Sequence, residues 1–320
     1  MKKTTALLLM LAVLAGSFVH ASPLFPVLVA DHYGFVDKAG KLVINPQFER
    51  AGTFAANLAP VRLGHLWGYV DPAGKLAINP QFESAAPFSG GFAAVELGGR
   101  YGYINDDGKY IINPQFDGAG AFAEGRAAVK LKSRYGFVDK TGTFVINPQF
   151  DDAADFSEGL AAIKLGGRYG FIDKAGKIVI NPQFEKAGAF TDGLAPIKLD
   201  RRWGFINPNG KIVINPQFED VRGFVNDLAP ARVGKLWGFI DKSGKIIINP
   251  QFEDADGFAE GLARVKLASR WGFIDRNGKY VINPQFDDAA SFTDGLAKVK
   301  VSRKSGYVDV NGKYVWDPTN

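Results

Sequence analysis

The chain has 320 residues, 38 Lys and Arg against 33 Asp and Glu, 46% hydrophobic residues and no cysteine. Zero Cys excludes a disulfide framework and a thiolate metal site. The near balance of charge lacks the concentrated basic field that nucleic acid calls for, and no apolar run beyond the first residues approaches the length of a membrane span.

In chain order, Met1-Lys2-Lys3 is a positive start, Ala6 to Ala15 is almost uninterruptedly apolar, and Val19-His20-Ala21 offers what a signal peptidase reads. This predicts a leader over residues 1–21, cleaved after Ala21, and a single repeat domain over residues 22–320. No Cys follows the leader, which excludes a lipid anchor on an N-terminal cysteine. The expected location is the periplasm or the extracellular medium. Loss of Lys2 and Lys3 takes the 38 basic residues to 36 and leaves a net charge of +3.

From there the chain repeats itself. Asn-Pro-Gln-Phe begins at Asn45, Asn79, Asn113, Asn147, Asn181, Asn215, Asn249 and Asn283, an interval of 34 residues every time. An aromatic-Gly pair keeps the same interval: Tyr33-Gly34, Trp67-Gly68, Tyr101-Gly102, Tyr135-Gly136, Tyr169-Gly170, Trp203-Gly204, Trp237-Gly238 and Trp271-Gly272, with a degraded ninth copy at Ser305-Gly306. Such a period means one supersecondary unit built nine times, each burying its apolar face on its neighbours.

Within a unit, three short runs rich in β-branched and aromatic residues are separated by turn residues, which predicts a three-stranded antiparallel meander. The second turn opens on Asp in seven units, such as Asp37, and ends on Gly in all nine, such as Gly40. That fits a type I turn closing on a left-handed residue. The Asn-Pro pair is expected to end the third strand, because proline donates no ladder hydrogen bond. About a dozen residues then connect to the next unit, with room for one helical turn at most. Three ring series, headed by Phe48, Phe54 and Phe35, are expected to pack as columns, each buried ring contributing roughly 1.5–3 kcal/mol. The Gly after each Trp or Tyr is expected to leave bare backbone for a neighbouring ring.

Three strands per unit, nine units and no strand shared between the chain's two ends predict an all-β, open superhelical solenoid-like array. A closed propeller-like toroid is the alternative.

Repetition also bears on chemistry, since a catalytic site needs one asymmetric constellation. The carboxylates following each tetrapeptide, from Glu49 to Asp287, read as a solvated edge. His32 and His65 lack a third metal ligand. Asn105-Asp106-Asp107-Gly108 is a turn without the spaced ligands of a calcium loop. No phosphate-cradling loop or nucleophile elbow is present. The expectation is a chain that is not an enzyme and holds no metal or cofactor.

Two basic ladders are the candidate interaction strip. Lys130, Lys164 and Lys198 stand mid-way along the first strands, in a row with Arg62, Arg232, Lys266 and Lys300 that Glu96 breaks. Arg100, Arg134, Arg168, Arg202 and Arg270 each precede an aromatic-Gly pair, where cation–π stacking is expected to hold them. The strip reads either as a soluble strand face or as a multivalent surface for an acidic protein or an anionic envelope polymer.

The run Trp237-Gly238-Phe239-Ile240-Asp241-Lys242-Ser243-Gly244-Lys245, with Asn249-Pro250-Gln251-Phe252 and Phe258-Ala259-Glu260-Gly261-Leu262 after it, closely resembles the WG repeat family. The resemblance covers about Leu24 to Pro318, implies an all-β fold and brings no catalytic residues. The chain departs from the family pattern where Tyr replaces Trp, at Tyr33, Tyr101, Tyr135 and Tyr169, and at Ser305. The resulting expectation is an exported, non-enzymatic scaffold for protein–protein interaction in the bacterial envelope. The alternative is a cell-wall or carbohydrate binder, for which Trp67, Trp203, Trp237 and Trp271 would have to be exposed.

Overall fold

The computed structural model describes residues 23–318, so the expected leader lies outside the described residues. Among the described residues every regular element is a strand. The first unit holds β1 (Phe25–Val29), β2 (His32–Val36) and β3 (Leu42–Phe48). The next holds β4 (Arg50–Ala51), β5 (Ala59–Leu63), β6 (Leu66–Val70) and β7 (Leu76–Phe82). Eight sheets follow the order of β4-β5-β6-β7, and β1-β2-β3 makes a three-stranded ninth.

The predicted meander is present, and the second turn is built as expected. The Gly40 N–H donates to the Asp37 carbonyl at 3.0 Å, and Asp37 Oδ1 accepts from the Ala39 and Lys41 N–H groups, both at 2.9 Å. Gly40 takes the left-handed φ of 81°.

Three local expectations are corrected. The connection carries no helical turn; it gives the two-residue strand and then a tight hairpin turn. Ala55 and Leu58 exchange N–H···O bonds of 2.9 and 3.1 Å around Ala56 and Asn57, both at positive φ, as a type I′ turn requires. The third strand does not stop at Asn-Pro but runs through it. A two-residue step on β2, Tyr33 to Phe35, faces a four-residue step on β3, Phe48 to Ile44, so the proline sits in a bulge outside the ladder. The bulge also corrects the role of the following Gly. A Cβ on Gly34 would stand 2.4 Å from the Ile44 carbonyl oxygen, so the partner strand's backbone lies there and not a neighbouring ring.

Each blade packs on the next through one apolar cluster. Leu58, Tyr69, Ile78 and Phe82 of one sheet bury against Phe88, Ala93, Val95 and Ile104 of the following sheet. The same arrangement joins the last sheet to the first: Leu296 and Tyr307 bury with Phe25, Val27 and Val36. The Tyr307 hydroxyl donates to the Pro26 carbonyl at 3.0 Å. The array is therefore closed, a nine-bladed β-propeller, and the open solenoid is corrected to the toroid. Counting three strands per unit misplaced the sheet, because its fourth strand comes from the connection.

Repeat-equivalent segments come closest near the axis of a ring. The Ser89 hydroxyl donates to the Phe122 carbonyl at 2.8 Å and Ser157 to Phe190 at 2.7 Å, each 33 residues on. The two-residue strands and their hairpin turns thus surround the axis, and the seven-residue strands form the outer rim.

Candidate functional site

Three repeated features reach the surface: the basic strip, the turns about the axis and the outer rim. In the strip, the arginines before the aromatic-Gly pairs are tied to carboxylates. Arg100, Arg134, Arg202 and Arg270 pair with Asp117, Asp151, Glu219 and Asp287, the residues that follow the tetrapeptides. Arg168 is exposed at the same position of its strand. The ladder that stands over the rings is the other one. Lys130, Lys164 and Lys198 stand 5.5, 5.6 and 6.0 Å from the centroids of Tyr135, Tyr169 and Trp203.

The edge carboxylates have a second task. Glu83 accepts the Gly98 and Gly99 N–H groups at 2.9 and 3.0 Å, and Glu219 accepts that of Gly234 at 2.9 Å. At Glu219 burial works upward, but the Gly234 N–H and the Arg202 guanidinium outweigh it and hold the carboxyl below its usual range. The carboxylates thus cap the hairpin between the first and second long strands, with Arg closing the pair from the other side.

Two of the four family tryptophans are buried. Trp237 is 6% and Trp271 7% exposed, while Trp67 and Trp203 are partly buried. Arg222 lies 5.1 Å from the Trp237 ring centre and Arg264 4.6 Å from that of Trp271. Gly68, Gly204, Gly238 and Gly272 repeat the close approach described at Gly34.

Around the axis, four acidic turn residues bind the next turn. The carboxylates of Glu124, Glu158, Asp192 and Glu260 accept the N–H groups of Gly159, Gly193, Asp227 and Gly295, at 2.8 to 3.1 Å. The Lys174 ammonium, 2.8 Å from Glu124, holds that carboxyl below its ordinary value. These carboxylates join blades. Among the described residues, no three His, Cys, Asp or Glu side chains are grouped to hold a metal ion, and His32 and His65 are both exposed. Among the described residues no helix is long and apolar enough to cross a membrane.

The rim is the feature that sequence reasoning missed. Val43, Ile111, Val145, Val179, Val213, Ile247 and Val281 recur at one register position of the outermost strands, and all are exposed; Val179 reaches 43% and Ile247 46%. Beside them Leu42, Ile178, Ile212 and Ile246 are exposed as well. The signal was present as two or three apolar residues just before each tetrapeptide, but an outer edge strand and a buried strand carry the same run.

Eight stretches, residues 33–65, 67–101, 101–135, 135–169, 169–202, 203–237, 237–269 and 271–304, match the family model described as WG containing repeat. No curated protein matches the chain by sequence. Among solved structures, a crystal structure of a eukaryotic initiation factor superposes with a TM-score of 0.66 at 12% identity, over 92% of this chain and 95% of that one. The dihydro-heme d1 dehydrogenase NirN, in complex with DHE, does so with a TM-score of 0.50 at 14% identity, over 91% and 72%. At such identities the likeness is one of fold.

Proposed function

The chain belongs to the WG repeat family, and from that premise we propose that it is a non-enzymatic scaffold for protein–protein interaction, exported to the bacterial envelope. The observation that carries this reading is the rim. Ordinary surfaces scatter their exposed apolar residues singly, whereas here β-branched side chains recur blade after blade on outermost strands. A multivalent partner gains affinity from such repetition through effective concentration, without one deep pocket. The Asn-Pro bulge in eight of the nine rim strands interrupts their edges and opposes unspecific strand pairing.

The carbohydrate reading is the weaker one. A sugar stacks on an aromatic face, and the faces of Trp237 and Trp271 are buried under arginines. In the scaffold reading the rim makes the contact, and the Arg–carboxylate pairs hold the hairpins.

The test is capture from native envelope and culture fractions with the purified processed chain, beside a variant carrying Val179→Asp, Val213→Asp and Ile247→Asp. A discrete protein captured by the parent and lost by the variant is the expected result. Co-sedimentation with cell-wall sacculi and capture of no protein would overturn the reading.

A further inference from the structure

The rim is not uniform, and one arc of it stands apart. In the fifth, sixth and seventh blades the outermost strands are Ile178–Phe184, Ile212–Phe218 and Ile246–Phe252. A lysine directly precedes each, so these blades present Lys-Ile-Val at 177–179, Lys-Ile-Val at 211–213 and Lys-Ile-Ile at 245–247. All six aliphatic side chains are between 38% and 46% exposed, and the three lysines are exposed beside them.

The register explains the exposure. Phe171 and Ile172 face Ile180 and Ile178, so Val179 is an extra residue with no partner on the neighbouring strand. Val213 and Ile247 stand at the same bulge. In the blades on either side, the residue before the extra one is a ring folded back on the preceding blade. Phe144 lies 5.9 Å from Phe116, and Tyr280 lies 6.3 Å from Phe252. Isoleucine takes that position in the three blades between, so the arc has defined ends.

The positive charge of this arc is not neutralised within the chain. Other cations of the same blades are paired: Lys174 with Glu124, Arg202 with Glu219 and Lys242 with Asp227. Among the described residues no ion pair involves Lys177, Lys211 or Lys245. Their backbone N–H groups donate to Oδ1 of Asp173, Asn207 and Asp241 at 2.9 to 3.0 Å, which fixes where each side chain leaves the turn.

We infer that the arc over the fifth to seventh blades docks an acidic protein segment in which carboxylates and aliphatic side chains recur together. The inference rests on the reading of the rim as a protein contact, and it names the place and chemistry of that contact. The three ammonium groups call for carboxylates, and the aliphatic pair beside each calls for apolar side chains. Bulged strands are poor templates for an added strand, so side chains make the contact. An anionic polysaccharide would leave the aliphatic side chains uncovered. A flat lipid surface would meet the curved outer wall at the middle blade and miss the other two. Three equivalent contacts on one ring reinforce one another through effective concentration.

The probes are a fluorescent copolymer of Glu and Leu, polyglutamate of equal length and phosphatidylglycerol vesicles, each titrated onto the purified chain. Saturable binding of the copolymer is expected. The triple variant Lys177→Thr, Lys211→Thr and Lys245→Thr introduces the residue that Thr143 already places at this position, so it keeps the fold. It is expected to weaken copolymer binding about tenfold, which is about 1.4 kcal/mol. The same change at Lys75, Lys109 and Lys279 is expected to weaken it by less than about twofold. Absence of saturable copolymer binding, equal losses in the two triple variants, polyglutamate binding as tightly as the copolymer, or tighter binding to the vesicles would overturn the inference. Envelope capture lost by the Val179→Asp, Val213→Asp and Ile247→Asp variant, without lysine-dependent copolymer binding, overturns the inference and leaves the scaffold. Lysine-dependent copolymer binding with no envelope protein captured does the reverse.

Discussion

The ring of Phe25 lies 5.4 Å from that of Tyr307, centroid to centroid, and joins the first blade to the ninth. Within the chain the corresponding partner is a Phe of the short axial segment. Tyr69 stands 5.0 Å from Phe88, and Phe171 stands 4.9 Å from Phe190. Phe25 occupies a register position that is Ala in the other eight units, from Ala59 to Ala297. A ring supplied from the strand itself thus stands in for the ring of the axial segment, and the propeller closes without a shared strand.

Phe25→Ala is therefore expected to destabilise the whole ring, by about 3–5 kcal/mol as for other buried Phe. Tyr307→Phe, which removes only the hydroxyl bonded to Pro26, is expected to cost about 1 kcal/mol. Urea unfolding of both variants measures this. A Phe25→Ala loss no larger than that of Tyr307→Phe would mean that closure does not depend on the ring pair.

Glycines of one sequence appearance are expected to respond in opposite ways. A Cβ on Gly204 would lie 2.4 Å from the Ile214 carbonyl oxygen, so Gly204→Ala forces strand and bulge apart and is expected to cost about 1–3 kcal/mol. Gly118 stands where other units carry Ser84 or Asp152, and its Cβ would meet only the Lys130 Cβ at 3.5 Å. Gly118→Ala is expected to stabilise by about 0.4–1 kcal/mol through the unfolded chain. Thermal unfolding of the pair decides it; equal losses would refute the bulge as the reason for the aromatic-Gly pairs.

The period of 34 made the blade count, the meander and the Asp37–Gly40 type of turn legible, because each follows from local residue chemistry. Closure was not legible, since it depends on Phe25 meeting Tyr307 across the whole chain. The axial segment escaped notice because two residues of strand, such as Arg50–Ala51, leave no period to detect. Within the basic strip, stacking on the rings was expected of the arginine row and is made by the lysine row. Residue type alone assigns neither cation to a ring or a carboxylate, and only the register shows that Lys164 covers Tyr169 while Arg134 reaches Asp151.

The Arg–carboxylate pairs are half exposed at the arginine, and such pairs contribute about 0–1 kcal/mol each. Replacing Arg134, Arg168 and Arg202 together by Ala is expected to leave the fold intact, lower stability by no more than about 2 kcal/mol and spare partner capture. Circular dichroism, urea unfolding and the envelope capture assay report these in turn. Capture lost by this variant while the rim variant retains it would move the contact surface from the rim to the strip.

Alkaline pH gives a further test, because several tyrosines are held protonated. Burial pushes Tyr69, Tyr103 and Tyr307 well above the ordinary tyrosine value. Tyr169 is pushed up to about 12 by burial and by its hydroxyl's bond to Asp152 Oδ2, at 2.8 Å. In the unfolded chain these phenols ionise near about pH 10. A raised folded value means that the fold favours the protonated phenol. Its contribution is then complete below about pH 10 and is lost as pH climbs through the folded values. The urea midpoint is expected to hold steady from about pH 7 to 9 and to fall between about 10 and 12, with tyrosinate absorbance lagging behind that of urea-unfolded protein. Asp152→Asn removes the negative charge beside Tyr169, so in that variant one phenol is expected to ionise at lower pH. A midpoint independent of pH up to about 12 would contradict the burial of these hydroxyls, and an unchanged titration in Asp152→Asn would contradict the Tyr169–Asp152 bond.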